Sequence, residues 1–259
     1  MEGREKLMPI LFVGHGSPMN AIETNQFTKN WIAISKRIPK PRAILAISAH
    51  WFTDGTRIQD DERPKTVYDM FGFPDELYRI EYKPSGAPDL AHVTKALLNE
   101  KAQIDNSWGI DHGVWSVLCH MYPEANIPVY QLSVDQKIEA RSHFELGKQL
   151  RSLREQGVLI LASGNVVHNL SKINWNMQGG TPWADEFNEY IKQKIIKQQY
   201  EDVIHYKNAG KCAELAFYTP EHFYPLLYIL GASNEKDKLS IYNDECIMGS
   251  LSMTCYLFE

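Results

Sequence analysis

The chain has 259 residues, hydrophobic residues at 44% of its positions and a formal net charge of −5 at pH 7. A chain of this length can bury a substantial core, and its charges form no long blocks of one sign, so we expect neither a nucleic-acid partner nor a membrane partner. Apolar runs fall short of the roughly 20 residues that span a bilayer, and no secretory signal is evident. We therefore expect a cytoplasmic protein in which the four widely spaced cysteines are reduced and buried.

The first elements are predicted to be a strand, a helix and a second strand. An apolar run covers 10–13, helical spacing of large apolar residues covers 20–38, and a second apolar run covers 43–48. Pro39 and Pro41 end the helix, because proline cannot continue one. Continuously apolar strands joined through a helix predict a parallel sheet that is covered on both faces.

A long segment, 52–88, is rich in Asp, Pro, Gly, Tyr and Phe, and we expect it to cross the sheet edge as a binding loop. Within it, 56–58 and 66–68 are predicted to pair as a short hairpin. Asp89 is the expected N-cap of a helix that runs to about residue 99.

The second half continues the alternation of helices and strands. Thr219 is expected to cap a further helix with Pro220 at its first position, and 250–256 alternates as a half-solvated strand does. The remaining predicted elements are helices at 112–121, 136–154 and 183–199 and strands at 128–132, 158–162, 239–242 and 251–257. The expected fold is a single α/β domain over residues 1–259, with a mostly parallel central sheet covered by helices on both faces.

Five of the nine histidines fall at predicted element ends, several beside glycine: His15, His50, His112, His168 and His222. Ligands of open α/β sheets bind beyond the carboxyl ends of the strands, and imidazole is the commonest metal-binding side chain. We therefore expect at least three of the five to converge on one site. His92, His143 and His205 are expected on the surface, and His120 is expected to pack or face solvent.

Local zinc motifs are absent, since there is no His-Glu-x-x-His and no cysteine pair, so the ligands must come from separate strand ends. The residues alone leave open an oxygenase, a zinc metallohydrolase and a non-enzymatic binding protein. A nucleotide-binding loop at 14–17 is a weaker alternative, because the glycine pattern of such loops is missing.

Six short segments spread over the chain carry a family resemblance: GHGSP at 14–18, ISAHW at 47–51, YDMFGFP at 68–74, DHGVW at 111–115, GNVVHNL at 164–170 and PEHFYP at 220–225. With them the chain resembles the class III extradiol aromatic-ring dioxygenases, and more closely their DOPA 4,5-dioxygenase (extradiol) branch. The resemblance implies metal ligation by His15 and His50, a catalytic base at His168, and a role for His112 near substrate and dioxygen.

The third metal ligand implied by the resemblance is His222, as in the DOPA branch, with Glu221 as the alternative from the broader superfamily. The implied cofactor is one divalent metal, with Fe(II) expected for catalysis and Zn(II) a fit for three imidazoles. The implied substrates are O2 and a small catechol such as L-DOPA, and the implied product is a muconic semialdehyde. Aromatic residues proposed for the substrate wall are Trp51, Phe71, Phe73, Trp115 and Tyr224.

Overall fold

The computed structural model describes residues 7–99 and 101–259. Across these residues one eight-stranded sheet forms the centre, in the order β4-β3-β5-β2-β6-β1-β10-β7, and β8 pairs separately with β9. The strands are β1 Ile10–Gly14, β2 Ala43–Thr53, β3 Arg57–Ile58, β4 Gln103–Ile104, β5 Val129–Asp135, β6 Val158–Gly164, β7 Leu239–Tyr242, β8 Cys246–Ile247, β9 Leu251–Ser252 and β10 Cys255–Phe258.

Helices cover this sheet and connect its strands. The α-helices are α1 Gln26–Arg37, α2 Pro88–Leu97, α3 His112–Met121, α4 Ala140–Leu150, α5 Pro182–Ile196, α6 Tyr200–Ile204, α7 Lys211–Ala216 and α8 Tyr224–Ala232. Short 3-10 turns lie at Pro18–Ala21, Leu77–Arg79, Arg151–Gln156, Leu170–Lys172, Tyr206–Ala209 and Pro220–His222. Within the part of the chain so described, no helix is long and apolar enough to cross a membrane.

The four central strands, β5, β2, β6 and β1, are all parallel, and both of their faces are buried. Successive side chains of a strand point to opposite faces. In β1, Ile10 and Phe12 therefore pack with α4, α5 and α8, whereas Leu11 and Val13 pack with α1 and α3. The predicted fold class, a mostly parallel sheet covered on both faces, is confirmed.

Several predicted boundaries in the first half are wrong. The helix predicted at 20–38 begins only at Gln26, because Asn25 caps it by accepting from the Thr28 backbone N–H. The hairpin between 56–58 and 66–68 does not form, since β3 pairs with β4 and β5 instead. Helix α2 begins with Pro88 after Ala87, so Asp89 lies in its first turn and is not its cap.

The second half departs from expectation where elements end. The helix predicted at 136–154 begins at Ala140 and tightens into a 3-10 turn at Arg151–Gln156, and the helix predicted at 183–199 ends at Ile196. The Thr219 side chain makes no capping hydrogen bond to the turn that follows it. The strand expected at 251–257 is split into β9 and β10.

The expectation of a half-solvated strand at 250–256 is also wrong, because all of these residues are buried. Strand β10 lies inside the sheet, between β1 and β7. Among the cysteines, which are all free, Cys119 is partly exposed and the other three are buried.

Candidate metal centre

Five histidines from five separate segments meet at one edge of the sheet. His15 directly follows β1, His168 follows β6, and His112 is the first residue of α3. His222 ends the 3-10 turn that precedes α8, and His50 lies inside β2. The structure thus brings together all five histidines that the sequence singled out.

The parallel strands explain this convergence. β6 lies between β1 and β2, so the three strands end at the same edge, with Gly14 paired to Gly164. Gly164 also lets the turn that carries His222 approach, since a Cβ at this position would lie 2.1 Å from the His222 carbonyl oxygen. A side chain at residue 164 would therefore displace His222.

His50 is placed by an irregularity rather than by a strand end, which corrects the expectation that β2 stops at residue 48. Ile47 pairs with Leu132, but Phe52 pairs with Val134, so five steps along β2 match two along β5. The three extra residues form a bulge at the level of His50. Bulges redirect side chains and are common beside active sites.

Three of the imidazoles point one nitrogen each at a common point. One ring nitrogen from each of His15, His50 and His222 lies within 4.8 Å of the other two, and Nε2 of His15 is 3.1 Å from Nε2 of His50. Two nitrogens bound to one ion at about 2.1 Å, with bond angles of about 90–110°, lie about 3.0–3.4 Å apart. The observed separation therefore fits two ligands of a single divalent ion.

The other nitrogen of His15 is fixed by a hydrogen-bond chain. Nδ1 lies 2.9 Å from the Ser163 hydroxyl oxygen, and that hydroxyl donates its single hydrogen to the Gly113 carbonyl. The hydroxyl must therefore accept from Nδ1, so Nδ1 carries the ring proton. Nε2 of His15 is left with its lone pair facing the other imidazoles.

Nδ1 of His222 and Nδ1 of His50 each lie beside a carboxylate. Nδ1 of His222 lies 3.0 Å from Glu221 Oε1, and its Nε2 is buried with no hydrogen-bond partner among the described residues. Nδ1 of His50 lies 3.1 Å from Asp69 Oδ2, a close approach without hydrogen-bond geometry, since Asp69 Oδ2 has no hydrogen-bond partner among the described residues. Metal-binding histidines usually donate their second ring N–H to such a partner, which orients the ring.

Burial keeps these imidazoles neutral. The pKa of each of His15, His50 and His222 is lowered well below 6.5, chiefly by desolvation and further by the neighbouring histidines. At neutral pH the lone pairs are therefore available to a metal without competition from protons.

His112 and His168 stand beside this group. Nδ1 of His112 lies 2.9 Å from Asp69 Oδ1, and its ring centre is 4.0 Å from that of His50. His168 stacks on His222, with ring centres 3.5 Å apart and planes 8° apart. Burial lowers the pKa of His168 to about 4, so this residue is a weaker base than an ordinary histidine.

Two further sets could also reach one ion: His50, Asp69 and His112, and His168, Glu221 and His222. In both sets a carboxylate faces Nδ1 of a histidine. These carboxylates lie 2.9–3.1 Å from Nδ1 atoms, where each is positioned to orient an imidazole ring. The set His15, His50 and His222 alone combines free, converging Nε2 atoms.

Two residues that the sequence did not indicate, Asp69 and Ser163, contact the ring nitrogens of the histidines that point away from the common point. Burial raises the pKa of Asp69, but its contacts with His112 and His50 outweigh burial, and the resulting pKa is about 2. Asp69 lies inside the segment 68–74, which was noted for the resemblance alone. Ser163 sits in an apolar strand, where nothing in the sequence distinguishes it.

Asp111 was missed as well. Its carboxylate accepts from the Ser48 hydroxyl at 2.7 Å and from Trp108 Nε1 at 3.0 Å, and the same Ser48 oxygen accepts from the His50 backbone N–H. Burial raises the pKa of Asp111 to about 6. Through its hydrogen bond to Ser48, which in turn accepts from the His50 backbone, Asp111 supports the bulge that presents His50.

The other four histidines lie elsewhere. His92 and His205 are exposed, as expected, and Nε2 of His120 packs 2.6 Å from the Asn20 carbonyl oxygen. The surface position expected for His143 is wrong. It is fully buried, with Nδ1 3.0 Å from the Tyr228 hydroxyl.

A cavity of about 440 Å³ opens over the five histidines. Of the five aromatic residues expected in its wall, only Phe73 lines it. Trp51 and Trp115 are buried, Tyr224 lines other surface depressions, and Phe71 is 96% exposed. Apolar lining residues that the sequence did not indicate are Pro18, Met70, Leu170, Ile173, Trp175, Met248 and Leu251.

The sequence of the chain is similar to that of known proteins over most of its length. The family model described as the catalytic LigB subunit of aromatic ring-opening dioxygenase matches residues 9–254. A protein of Escherichia coli K12 named 4,5-DOPA dioxygenase extradiol is 44% identical over 253 residues, which cover 95% of this chain and 93% of that protein. A Beta vulgaris protein of the same name is 35% identical over 265 residues, covering 100% of this chain and 99% of that protein.

A solved structure is similar throughout. The crystal structure of an uncharacterized protein from Escherichia coli K12 superimposes with a TM-score of 0.83 at 40% sequence identity. The match covers 97% of this chain and 100% of that one. The likeness therefore extends over nearly the whole fold.

Proposed function

Because the chain belongs to the family of the catalytic LigB subunit of aromatic ring-opening dioxygenases, we propose that it is a metal-dependent extradiol dioxygenase. Its substrates would be O2 and a catechol such as L-DOPA, and its product a muconic semialdehyde. The observation that carries the proposal is the convergence of three imidazoles, with one free nitrogen each, at the wall of a cavity of about 440 Å³.

His15, His50 and His222 would hold the ion through their Nε2 atoms. His222 is preferred to Glu221, because His222 and not Glu221 belongs to the set with His15 and His50 in which the ligand atoms all lie within 4.8 Å of one another. Bound Fe(II) supplies coordination of the diol and of dioxygen and electron transfer between them, whereas Zn(II) has no redox chemistry.

His168 and His112 would act on the bound substrate. His168 is neutral at pH 7 and lines the cavity, so a ring nitrogen can accept the proton of a catechol hydroxyl. A base whose pKa is about 4 accepts that proton readily only if the hydroxyl is itself made more acidic, as metal coordination does. Nδ1 of His112 lies 2.9 Å from Asp69 Oδ1 and its ring lines the cavity, so His112 is placed to contact the substrate or dioxygen.

The test is anaerobic loading with Fe(II), followed by catechol or L-DOPA and air, with the yellow ring-opened product followed by absorbance. His168→Ala should keep its metal and lose turnover, whereas His15→Ala should lose both. Exposed His92 offers a matched control, since His92→Ala should change neither. Full turnover in His15→Ala, or no ring opening by the wild-type protein, would contradict the proposal.

One observation favours a second function, a zinc metallohydrolase: three neutral imidazoles are a donor set typical of catalytic zinc. In that case His168 would act as a base toward water. Activity with Zn(II) on esters or amides, together with none with Fe(II) on catechols, would favour this alternative over the dioxygenase.

A further inference from the structure

On the premise of the proposed function, we propose that Ser17 is a substrate-binding residue whose hydroxyl donates a hydrogen bond to a diol oxygen of the bound catechol. Ser17 lines the cavity and comes two residues after His15, one of the three proposed metal ligands. Because two residues of chain span at most about 7 Å, Ser17 stays beside the point at which the diol would meet the ion.

The hydroxyl of Ser17 has a hydrogen to offer. Its oxygen accepts the backbone N–H of Met19 at 3.2 Å, which caps the 3-10 turn Pro18–Ala21. None of the described residues accepts the hydroxyl hydrogen in return. A serine hydroxyl can accept and donate at the same time, so the capping contact leaves it free to donate to a molecule in the cavity.

The turn that carries Ser17 is anchored on both sides. Asn20 Nδ2 donates to the His15 carbonyl oxygen at 3.0 Å, and Gly16 packs so closely that a Cβ there would lie 2.5 Å from Met253 Sδ. Gly16 also has a φ of +65°, which a side chain would strain. The hydroxyl is therefore held in place before a substrate binds, which lowers the entropy cost of binding.

Few groups in the cavity wall can donate to the diol. Ser17 contributes the only hydroxyl among the described residues that line it, and the two carboxylates there can only accept when they are ionised. His168 would take up the proton of the diol, and Trp175, whose indole is a further donor, is 73% exposed. Ser17 and His112 are therefore the groups left to donate near the ion.

A donor at this place matters because the diol becomes anionic in the proposed reaction. Hydrogen bonds to a charged oxygen are shorter and stronger than those between neutral groups. The Ser17 hydroxyl should therefore favour the ionised catechol over the neutral one and lower the Kd of the bound catechol.

The experiment compares substitutions of Ser17 that separate donation from capping. Ser17→Ala removes both, Ser17→Gly removes the hydroxyl at little cost to the cap, and Ser17→Thr keeps a hydroxyl. Calorimetry on the Zn(II)-loaded proteins at pH 7 gives the Kd for catechol without turnover. We expect this Kd to rise roughly tenfold in the alanine and glycine variants and to stay close to the wild-type value in Ser17→Thr.

The ligand 4-nitrocatechol adds a measurement that a purely structural role would not change. Its visible absorbance reports how much of the bound ligand is ionised. We expect a smaller ionised fraction in Ser17→Ala and Ser17→Gly than in the wild-type protein at the same pH. The Kd for Zn(II) should not change in any of these variants, because the Ser17 side chain contacts none of the proposed ligand nitrogens.

Ser171→Ala is the matched control. Ser171 is an exposed serine in the turn Leu170–Lys172 beside the cavity, but it does not line the cavity. Its removal should change neither the Kd for catechol nor the absorbance of bound 4-nitrocatechol.

An unchanged Kd for catechol in both Ser17→Ala and Ser17→Gly would overturn the proposal. An effect in the alanine variant alone would overturn it in favour of capping, and an equal rise in the Kd for Zn(II) would show that Ser17 only holds the turn. The two claims can fail separately. A wild-type protein that binds catechol but opens no ring would refute the proposed function, and the Kd comparison would still test Ser17.

Discussion

Ser163→Ala is the sharpest test of how the candidate metal centre is oriented. The Ser163 hydroxyl accepts from Nδ1 of His15 at 2.9 Å, and both residues are buried. Without it, the metal-free protein can move the ring proton of His15 to Nε2. The metal-bound protein cannot, because Nε2 would then be a ligand, so the unpaired N–H weakens the bound state alone.

The size of this effect follows from that unpaired group. A buried donor left without an acceptor costs about 1–3 kcal/mol, and each 1.4 kcal/mol corresponds to a tenfold change in an equilibrium constant. We therefore expect the Kd for Zn(II) to rise by roughly 10- to 100-fold, as is common when an orienting partner of a metal ligand is removed. Competition with a chromophoric chelator at pH 7 measures this Kd directly.

Ser116→Ala is the matched control. Ser116 is equally buried, but its hydroxyl has no hydrogen-bond partner among the described residues. Its removal should leave the Kd for Zn(II) unchanged. An unchanged Kd in Ser163→Ala, or an equal rise in both variants, would refute the argument that Ser163 sets the tautomer of His15.

The close packing of Gly164 and the burial of neutral histidines each predict a measurable effect. Gly164→Ala puts a Cβ 2.1 Å from the His222 carbonyl oxygen, so it should lower the free energy of unfolding by about 1–3 kcal/mol and weaken metal binding, as thermal unfolding and metal titration would show. Gly179→Ala, which meets open space, should do neither, and equal effects of the two variants would contradict the packing argument. In the metal-free protein, burial lowers the pKa of His168 and of His143 to about 4. Since the unfolded chain binds these protons from about pH 6.5 downward, each residue should remove about 3 kcal/mol of stability as pH falls from 6.5 to 4, and a urea midpoint that stays constant from pH 7 to 5 would contradict this.

The central strands and the histidines at their ends were predictable, because each strand is marked by a continuous apolar run in its own short stretch of sequence. Apolar runs at 10–13 and 158–162 mark buried parallel strands, and the ends of such strands meet at one edge, which brings His15 and His168 together. The two-residue strands β3 and β4 carry no such signal, because their pairing depends on distant neighbours. That is why a hairpin was predicted where none forms.

The residues that orient the histidines were not predictable, because their role depends on contacts between segments far apart in the sequence. Ser163 and Asp69 matter only because they contact His15, His50 and His112 across the fold. The bulge at His50 likewise follows from pairing with β5, so the sequence indicated a strand end there. His143 was wrongly predicted to lie on the surface, because its sequence neighbours are polar and the buried Tyr228 hydroxyl that it contacts is distant in the sequence.

The metal content of single-alanine variants tests the central claim most directly. After reconstitution with Zn(II) and removal of excess, elemental analysis should find about one ion per wild-type chain and almost none in variants of His15, His50 or His222. Variants of His112 and His168 should retain it. A His222→Ala protein that keeps its ion, or a His168→Ala protein that loses it, would contradict the ligand set on which the account depends.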